Sequence, residues 1–325
     1  MTTPLTFTHL RLRARADQTI HLGGYQGAQR LRDALAQVMM QAVCTQTPRG
    51  AKPTSEHAAV CPVCWLLAAE TDPGAVRRAY TLAGPQPPPE TLAPGEEFHF
   101  TLTLFGEGYN FLPYFVLAAA AMGEVGVGPG RGKFRLLAID AVHPLRGESR
   151  PVLQEGERVV RPQQLTVTWE GAQEAAAAFP SEGELRLRFL SPMRLIESEA
   201  LVKAPDFSIF FRHLLKRIDD LAVQHNGGTR RPPEEVAELS ALANEVRLIE
   251  HETRWVELKG PSRERHPHRP VPMSGFVGRA RYRSRHWERL LPFLLLGQGV
   301  QVGKLTAKGN GVFQVEMNGR KGYWE

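Results

Sequence analysis

Three cysteines and a histidine lie close enough in the sequence to bind a metal ion together. Cys61 and Cys64 form a Cys-x2-Cys pair, and Cys44 and His57 precede them. Thiolate and imidazole ligands with this spacing are typical of a closed tetrahedral zinc site. Such a site would fix residues 43–75, a cysteine-bearing insertion with little apolar core of its own. The sequence therefore predicts a structural zinc, and unrelated packing of the cysteines is the alternative.

Two glycine-rich segments could approach an anion closely. The first is GEVGVGPGRG at 123–132, and the second is GQGVQVGKLTAKGNG at 297–311. Glycine lets backbone N–H groups come near a ligand, and lysines add positive charge to the second segment. We expect the second segment to bind phosphate and to contribute little to the core, although a simple turn is the alternative. The residues expected to contact the ligand there are Gly299, Gly303, Lys304, Lys308, Gly309 and Gly311.

Neither glycine-rich segment fits the two common nucleotide-binding motifs. Both follow a predicted helix and precede a strand, whereas the dinucleotide fingerprint runs from a strand through the loop to a helix. A P-loop needs Gly-x4-Gly-Lys-Ser/Thr. Gln298 stands at its first glycine position, and Leu305 follows Lys304. We exclude both motifs.

An arginine stripe is predicted on the strand at 271–283. Arg279, Arg281 and Arg283 alternate with apolar or small residues, so they would share one face of a strand. A stripe of this kind can follow phosphates along a nucleic acid. The alternative is a solvated strand face. The formal net charge of +6 and the pI of about 9.4 favour an anionic partner only modestly.

The elements that carry these residues repeat in the order β-α-β-β-α-β. The first half has predicted strands at 4–15, 76–84, 96–105 and 133–142, with helices at 25–42 and 109–123. The second half has predicted strands at 183–196, 248–259, 271–283 and 311–317, with helices at 206–225, 232–246 and 286–296. This order predicts an α+β protein with two tandem ferredoxin-like (RRM-like) folds.

The domain boundaries follow from this repeat. We expect an N-terminal domain at 1–145, a connecting segment at 146–180 and a C-terminal domain at 181–325. The connecting segment is rich in Pro, Gly, Gln and Glu and contains one predicted strand, QLTVTWE at 164–170. A chain of 325 residues with 42% apolar residues can build two such cores. No apolar run reaches the ~18 residues of a membrane span, which predicts a cytoplasmic protein.

The arrangement resembles the RAMP superfamily of CRISPR-associated RNA-binding proteins, and within it the endoribonuclease that processes precursor RNA. LLPFLLLGQGVQVGKLTAKGNGVFQV at 290–315 resembles the signature helix and glycine loop of that family. MSGFVGRARY at 273–282 resembles the strand beside the loop. GYQGAQRLRDALAQVM at 24–39 resembles the first helix of the family, with Asp33 where glycine is usual.

The resemblance implies a metal-independent reaction in which the 2′-hydroxyl of the RNA attacks the neighbouring phosphate. Proton transfer and charge stabilisation would then come from side chains between the two domains, near the first helix. The candidates for these roles are His21, Tyr25, His57 and Lys52, with Arg32 as an RNA-binding residue. His21 could instead be an exposed turn residue, His57 a zinc ligand, and Arg32 a partner of Asp33.

The resemblance therefore predicts an endoribonuclease that binds CRISPR repeat RNA, cleaves precursor RNA into guide units and retains the product. Its expected partners are this RNA and other CRISPR-associated effector subunits, and no cofactor is expected for catalysis. The alternative is a non-catalytic RAMP subunit that only holds guide RNA within an effector complex.

Overall fold

The structure is a computed structural model that describes residues 5–44, 54–67, 77–157, 159–262, 270–316 and 323–324. Across this part of the chain, every helix is too short or too polar to cross a membrane.

The first half of the chain begins with a long strand followed by a helix. Its elements are β1 (Phe7–Ala16), β2 (Ile20–His21), α1 (Gly27–Val43), α2 (Ser55–Val60), α3 (Pro62–Leu67), β3 (Tyr80–Ala83), β4 (Thr91–Leu92), β5 (Glu97–Phe105), α4 (Leu112–Val125), β6 (Phe134–His143), β7 (Glu148–Gln154), β8 (Thr166–Val167) and α5 (Trp169–Ala177).

The first sheet has the strand order β3-β5-β1-β6-β7, and β8 also pairs with β1. The first four of these strands give the 2-3-1-4 order of a ferredoxin-like fold, with α1 and α4 as the two crossover helices. Leu31, Leu35 and Val38 lie on one side of α1 at helical spacing and are buried in the core. The sequence pattern thus fixes which face of α1 packs inward.

The second half repeats this plan. Its elements are β9 (Gly183–Met193), β10 (Leu195–Glu197), β11 (Ala200–Val202), α6 (Phe207–His225), α7 (Pro233–Asn244), β12 (Arg247–Val256), β13 (Lys259–Ser262), β14 (Pro270–Pro272), β15 (Gly275–Ser284), α8 (Trp287–Gly297) and β16 (Phe313–Glu316).

The second sheet has the order β12-β15-β9-β16, which is again 2-3-1-4. Asp206 caps α6, because its side chain accepts a hydrogen bond from the backbone N–H of Ile209 at 2.9 Å. Phe210 and Phe211 of α6 are fully buried. The prediction of two tandem ferredoxin-like folds is confirmed by both strand orders.

The segment between the two folds is more regular than its composition suggests. β7 adds a strand to the first sheet, and α5 packs against α8 of the second fold. The predicted strand at 164–170 is wrong beyond Thr166–Val167. Thr168 accepts a hydrogen bond from the backbone N–H of Gly171 at 3.2 Å and so begins a helix.

The two folds share an apolar boundary. Phe7 and Phe105 belong to the first sheet but pack in the core of the second fold. Asn226, just after α6, donates a hydrogen bond to the Thr6 hydroxyl at 2.7 Å. Side chains from one half therefore complete the packing of the other.

Candidate functional site

The C-terminal glycine-rich segment, residues 297–311, leads from α8 to β16 and lies against the first fold. A Cβ atom on Gly309 would overlap the side chain of Ala28 in α1. A Cβ on Gly299 would overlap the ring of Phe7 in β1. Glycine is required at these two positions because the segment approaches the first fold this closely.

The other two predicted glycine contacts also face protein atoms. A Cβ on Gly311 would overlap the backbone of Val302, and one on Gly303 would lie 2.5 Å from the carbonyl oxygen of Arg194. Both glycines have positive φ angles, which side chains rarely adopt. The contacts of all four glycines therefore determine the conformation of the segment and how it packs against the first fold.

The expectation that this segment contributes little to the core is wrong. Val300 and Val302 have no exposed surface, and Thr306 and Asn310 are each 1% exposed. The Asn310 side-chain amide donates a hydrogen bond to the carbonyl oxygen of Met273 at 2.9 Å. The segment is part of the interior between the two folds.

The two lysines of the segment, Lys304 and Lys308, lie near different elements. Lys304 is exposed, and its backbone N–H donates a hydrogen bond to the carbonyl oxygen of Arg194 at 2.9 Å. Burial lowers the pKa of His213 in α6, and the positive charge of Lys304 lowers it further. Lys308 is half-buried and comes directly before Gly309, which meets α1. The segment thus spans from α6 to the first helix.

A cleft of about 650 Å³ opens between the two folds beside the first half of α1. Its other walls are the first glycine-rich segment and the β13–β14 hairpin of the second fold. The charged residues that line it are Arg30, Asp33, Arg131 and Lys259, and the polar ones are Gln26, Gln29 and Gln37.

Arg30 is fixed at the edge of this cleft by two hydrogen bonds. Its Nη1 donates to the carbonyl oxygen of His21 at 2.6 Å, and its Nη2 donates to the side-chain oxygen of Gln26 at 2.6 Å. A Cβ on Gly23 would lie 2.7 Å from the guanidinium, so glycine there leaves room for it. The planar fork of arginine is thus held ready for a further acceptor such as phosphate.

The guanidinium of Arg32, a predicted RNA-binding residue, is largely buried. Its side chain is only 16% exposed, and its Nη1 donates to Asp33 at 2.9 Å. The hydroxyl of Tyr80 lies beside the same group. The alternative of a pair between Arg32 and Asp33 is the one that the structure shows.

The predicted catalytic residues His21 and Tyr25 lie on either side of the start of α1. The exposed ring of His21 has its Nδ1 atom 3.4 Å from the Thr91 hydroxyl. Tyr25 is half-buried, and the Arg254 guanidinium lies 6.0 Å from the centre of its ring. The structure places His21 near Arg30 and Tyr25 near the second sheet, without bringing both into one cleft.

The arginine stripe lies on the exposed face of β15, as the alternation of the strand predicts. Arg281 and Arg283 both pair with Glu184 of β9, and Arg281 also pairs with Glu250 at 3.1 Å. Arg279 is exposed and lies between Arg188 of β9 and Glu252 of β12. Unlike Arg281 and Arg283, Arg279 has no ion pair among the described residues.

A second cleft, of about 450 Å³, separates this sheet face from the first fold. Tyr25 and His99 line it from the first fold, and Arg254 and Arg279 line it from the second. Burial lowers the pKa of His99. Aromatic and guanidinium groups at one cleft are suited to nucleotides.

Trp324, for which the sequence predicts no role, lines this cleft, and Tyr323 precedes it. The indole N–H of Trp324 donates to the Phe313 carbonyl oxygen at 2.8 Å. Both rings meet His9 in β1, at 5.4 and 5.2 Å between ring centres. Burial, and then the charge of Arg11, lower the pKa of His9 to about 3. These contacts form only in the folded chain, so spacing could not reveal them.

The structure brings the predicted metal ligands together. The Sγ atom of Cys44 lies 3.2 Å from His57 Nε2 and 3.5 Å from the Sγ atom of Cys64. With Cys61, the four ligand atoms all lie within 4.8 Å of one another. Thiolates on one zinc are about 3.8 Å apart, given Zn–S bonds of about 2.3 Å in a tetrahedron. Three thiols and one imidazole therefore form a possible metal-binding group.

Two of the predicted catalytic residues, His57 and Lys52, come from the cysteine-bearing insertion. His57 lies within the cysteine group, and this position favours its role as a metal ligand over the predicted catalytic role. Lys52, the other predicted catalytic residue, lies outside the described residues.

Comparisons with known proteins agree with this geometry. Residues 187–313, from β9 to the start of β16, match the family model of the CRISPR-associated endoribonuclease Cas6. Residues 5–165 match a model described as an N-terminal domain. A search of the curated proteins found no significant match.

Solved structures share the fold over nearly the whole chain. Cas6 from Thermus thermophilus is 16% identical, with a TM-score of 0.58 over 96% of this chain and 99% of its own. A Cas6 product complex is 18% identical, with a TM-score of 0.52 over 96% of this chain and 100% of its own. The fold and the site thus define a class of proteins with two ferredoxin-like folds, in which a glycine-rich segment of the second fold packs against the first. Over residues 187–313 the chain is similar to the Cas6 family of CRISPR-associated endoribonucleases.

Proposed function

We propose that this protein binds CRISPR repeat RNA and cleaves precursor RNA without a catalytic metal ion. The main support for this proposal is the close packing of the C-terminal glycine-rich segment against α1, where Gly309 contacts Ala28. This contact joins the two folds beside the cleft that contains Arg30 and Asp33. The structures similar to this chain include a Cas6 product complex, which supports RNA as the ligand.

The proposed reaction is a transfer of the phosphate within the RNA. The 2′-oxygen loses its proton and bonds to the adjacent phosphorus, and the bond from phosphorus to the 5′-oxygen breaks. His21 donates a proton to the leaving 5′-oxygen, because an imidazole can carry a proton near neutrality. Arg30, fixed beside His21, stabilises the charge on the phosphorane. Tyr25 supports the RNA from the other side of the α1 start.

The proposed RNA path extends over the face of the second sheet. Arg279 contributes an exposed cation there, and Arg281 and Arg283 continue the stripe along β15. Lys304 and Lys308 add positive charge on the glycine-rich segment. Several phosphate contacts of this kind would keep one product bound after cleavage.

A non-catalytic RNA-holding subunit is the second candidate. Among the described residues, none of those that line the cleft beside α1 is a histidine. A protein that only holds guide RNA would need its basic surfaces but no proton-transfer group. Cleavage by the purified protein separates the two candidates.

The test uses the full chain and RNA with the repeat sequence of the CRISPR array from the same genome. Cleavage should proceed in buffer without divalent cations and should stop when the nucleotide 5′ to the cut carries 2′-deoxyribose. Melting curves before and after removal of free metal show that the protein stays folded. Cleavage of the deoxy substrate, or an absolute need for added Mg²⁺, would contradict the proposed mechanism.

We also infer that Cys44, His57, Cys61 and Cys64 hold a structural zinc ion. The set of three thiolates and one imidazole is typical of closed structural sites. Trp65, which follows Cys64, stacks on Phe111 at 5.1 Å and meets His225 of α6 edge-on at 6.0 Å. The zinc would therefore fix a segment that touches both folds.

A further inference from the structure

The cleft beside α1 needs a group that can take the proton from the 2′-hydroxyl. The His21 backbone contacts Arg30 and lies beside Gly128, which both line the cleft, and in the proposed reaction His21 acts as the proton donor. Among the described residues that line the cleft, the ionisable ones are Arg30, Asp33, Arg131 and Lys259. Arginine and lysine are protonated near neutrality, whereas a carboxylate is an acceptor.

We propose that Asp33 is the general base of the RNA-cleaving reaction. This inference rests on the endoribonuclease function proposed above. Asp33 stands where the resemblance to the family leads us to expect glycine, so the carboxylate belongs to this chain in particular. Its side chain is 43% exposed, so a substrate can reach the carboxylate.

Two side chains of α1 hold the Asp33 carboxylate in position. Arg32 donates to Asp33 Oδ1 at 2.9 Å, and Arg32 is itself buried beside Tyr80. The side-chain amide of Gln29 lies 3.4 Å from Asp33 Oδ2. A base must be held at a fixed place to act within hydrogen-bond distance of its proton. In this proposal Arg32 is a positioning residue.

The opposite wall of the cleft is cationic. Arg131 comes from the first glycine-rich segment and Lys259 from β13, so two separate elements face α1. A Cβ on Gly260 would lie 3.1 Å from the side-chain oxygen of Gln29, which shows how closely the hairpin meets α1. A phosphate between Arg30 and these cations would place its neighbouring ribose near Asp33.

The proton balance of the step is simple. Asp33 takes the proton from the 2′-hydroxyl as the 2′-oxygen bonds to phosphorus. The 5′-oxygen leaves with a proton from His21, and the products are a 2′,3′-cyclic phosphate and a 5′-hydroxyl. Asp33 then returns its proton to water, and His21 regains one. No oxidant, reductant or metal ion takes part.

The test compares Asp33→Asn, Asp33→Glu and the control Glu238→Gln in single-turnover cleavage of the repeat RNA. Asp33→Asn should slow cleavage about 100-fold or more, the usual contribution of a positioned base. Asp33→Glu should recover part of the rate. Glu238 pairs with Arg289 at 2.8 Å on the helical side of the second fold, so its variant should cleave like wild type. Binding of an uncleavable 2′-deoxy repeat should be unchanged in all three.

Rescue by the conservative variant separates a base from a purely structural carboxylate. A longer carboxylate can still accept the proton, so Asp33→Glu should regain part of the rate that Asp33→Asn loses. The charged groups around the carboxylate are Arg30, Arg32, Arg131 and Lys259. If wild type cleaves and a folded Asp33→Asn variant keeps its rate within threefold, the inference is overturned while the proposed function stands. If wild type does not cleave, both fall.

Discussion

Neighbouring arginines on one strand face different electrostatic environments. Arg281 and Arg283 alternate along β15 with Arg279, yet both share the carboxylate of Glu184. Among the described residues, no ion pair is found for Arg279, which lies between Arg188 of β9 and Glu252 of β12. An arginine that is already paired must break that pair before it binds phosphate, so its net contribution is smaller.

Replacing Arg279 with alanine should therefore weaken RNA binding and reduce the salt dependence by about one unit, as expected for one lost phosphate contact. Arg283→Ala should have a smaller effect. The control is Arg289→Ala on α8, which removes the same charge from the helical side. Binding of uncleavable repeat RNA at several salt concentrations provides the measurement. Equal effects of the Arg279 and Arg289 variants would contradict an RNA-binding face on this sheet.

A single glycine can determine how the two folds meet. Gly309 has a positive φ of 87° and leaves no space for a Cβ beside Ala28. Gly147 also has a positive φ, of 69°, but a Cβ there would meet nothing within 4 Å. The two positions share backbone strain and differ in packing.

We expect Gly309→Ala to lower the free energy of unfolding by about 2 kcal/mol more than Gly147→Ala does, the usual cost of overpacking. Urea unfolding of the two variants gives the difference directly. Equal losses would show that the glycine-rich segment is not packed tightly against α1.

At the scale of elements, α2 and α3 are short helices connected through Cys61. Each has six residues, too few to be stable alone. The ligands Cys44, His57 and Cys64 come from the end of α1, from α2 and from α3. A metal ion would connect all three helices.

Purified protein should contain about one zinc per chain, and changing both Cys61 and Cys64 to serine should remove it. Hydrogen exchange over residues 54–67 should then become faster, because the helices lose their link to α1. Val60→Ser in the same segment is the control, because Val60 is 80% exposed and should leave the zinc bound. If the protein is free of zinc under reducing conditions, the cysteines only pack.

Most elements could be predicted because their apolar spacing matches the faces that pack. α6 is an example, since Phe207, Phe210, Leu214 and Ile218 recur at helical spacing and are all buried. α5 was missed because the alternating residues before it resemble a strand. Its place depends on Trp169, whose ring lies 4.5 Å from that of Phe293 in α8. A contact between residues so far apart leaves no trace in local spacing.

The candidate site was only partly predictable for the same reason. The cysteine group and the arginine stripe have short-range spacing, and their members do lie together in the structure. The cleft beside α1 instead combines Asp33, Arg131 and Lys259, which come from distant parts of the chain. Asp33 stood out in the sequence only as a departure from the family pattern.

At the scale of the whole molecule, the two folds form one continuous structure through buried contacts. Gln301 of the second fold donates a hydrogen bond to the Leu82 carbonyl oxygen of the first at 3.2 Å, and Arg77 pairs with Asp220 of α6. The cleft that contains Arg30 and Asp33 has walls from both folds. The reaction proposed here thus needs both halves of the chain.

The most direct test of the central claim is the chemical identity of the RNA ends after cleavage. Mass spectrometry of the products from the full chain and the repeat RNA would identify both termini. Attack by the 2′-hydroxyl predicts a 2′,3′-cyclic phosphate, or the monophosphate formed when it opens, on one product and a 5′-hydroxyl on the other. A 3′-hydroxyl paired with a 5′-phosphate would show that water attacked instead, and would contradict the account.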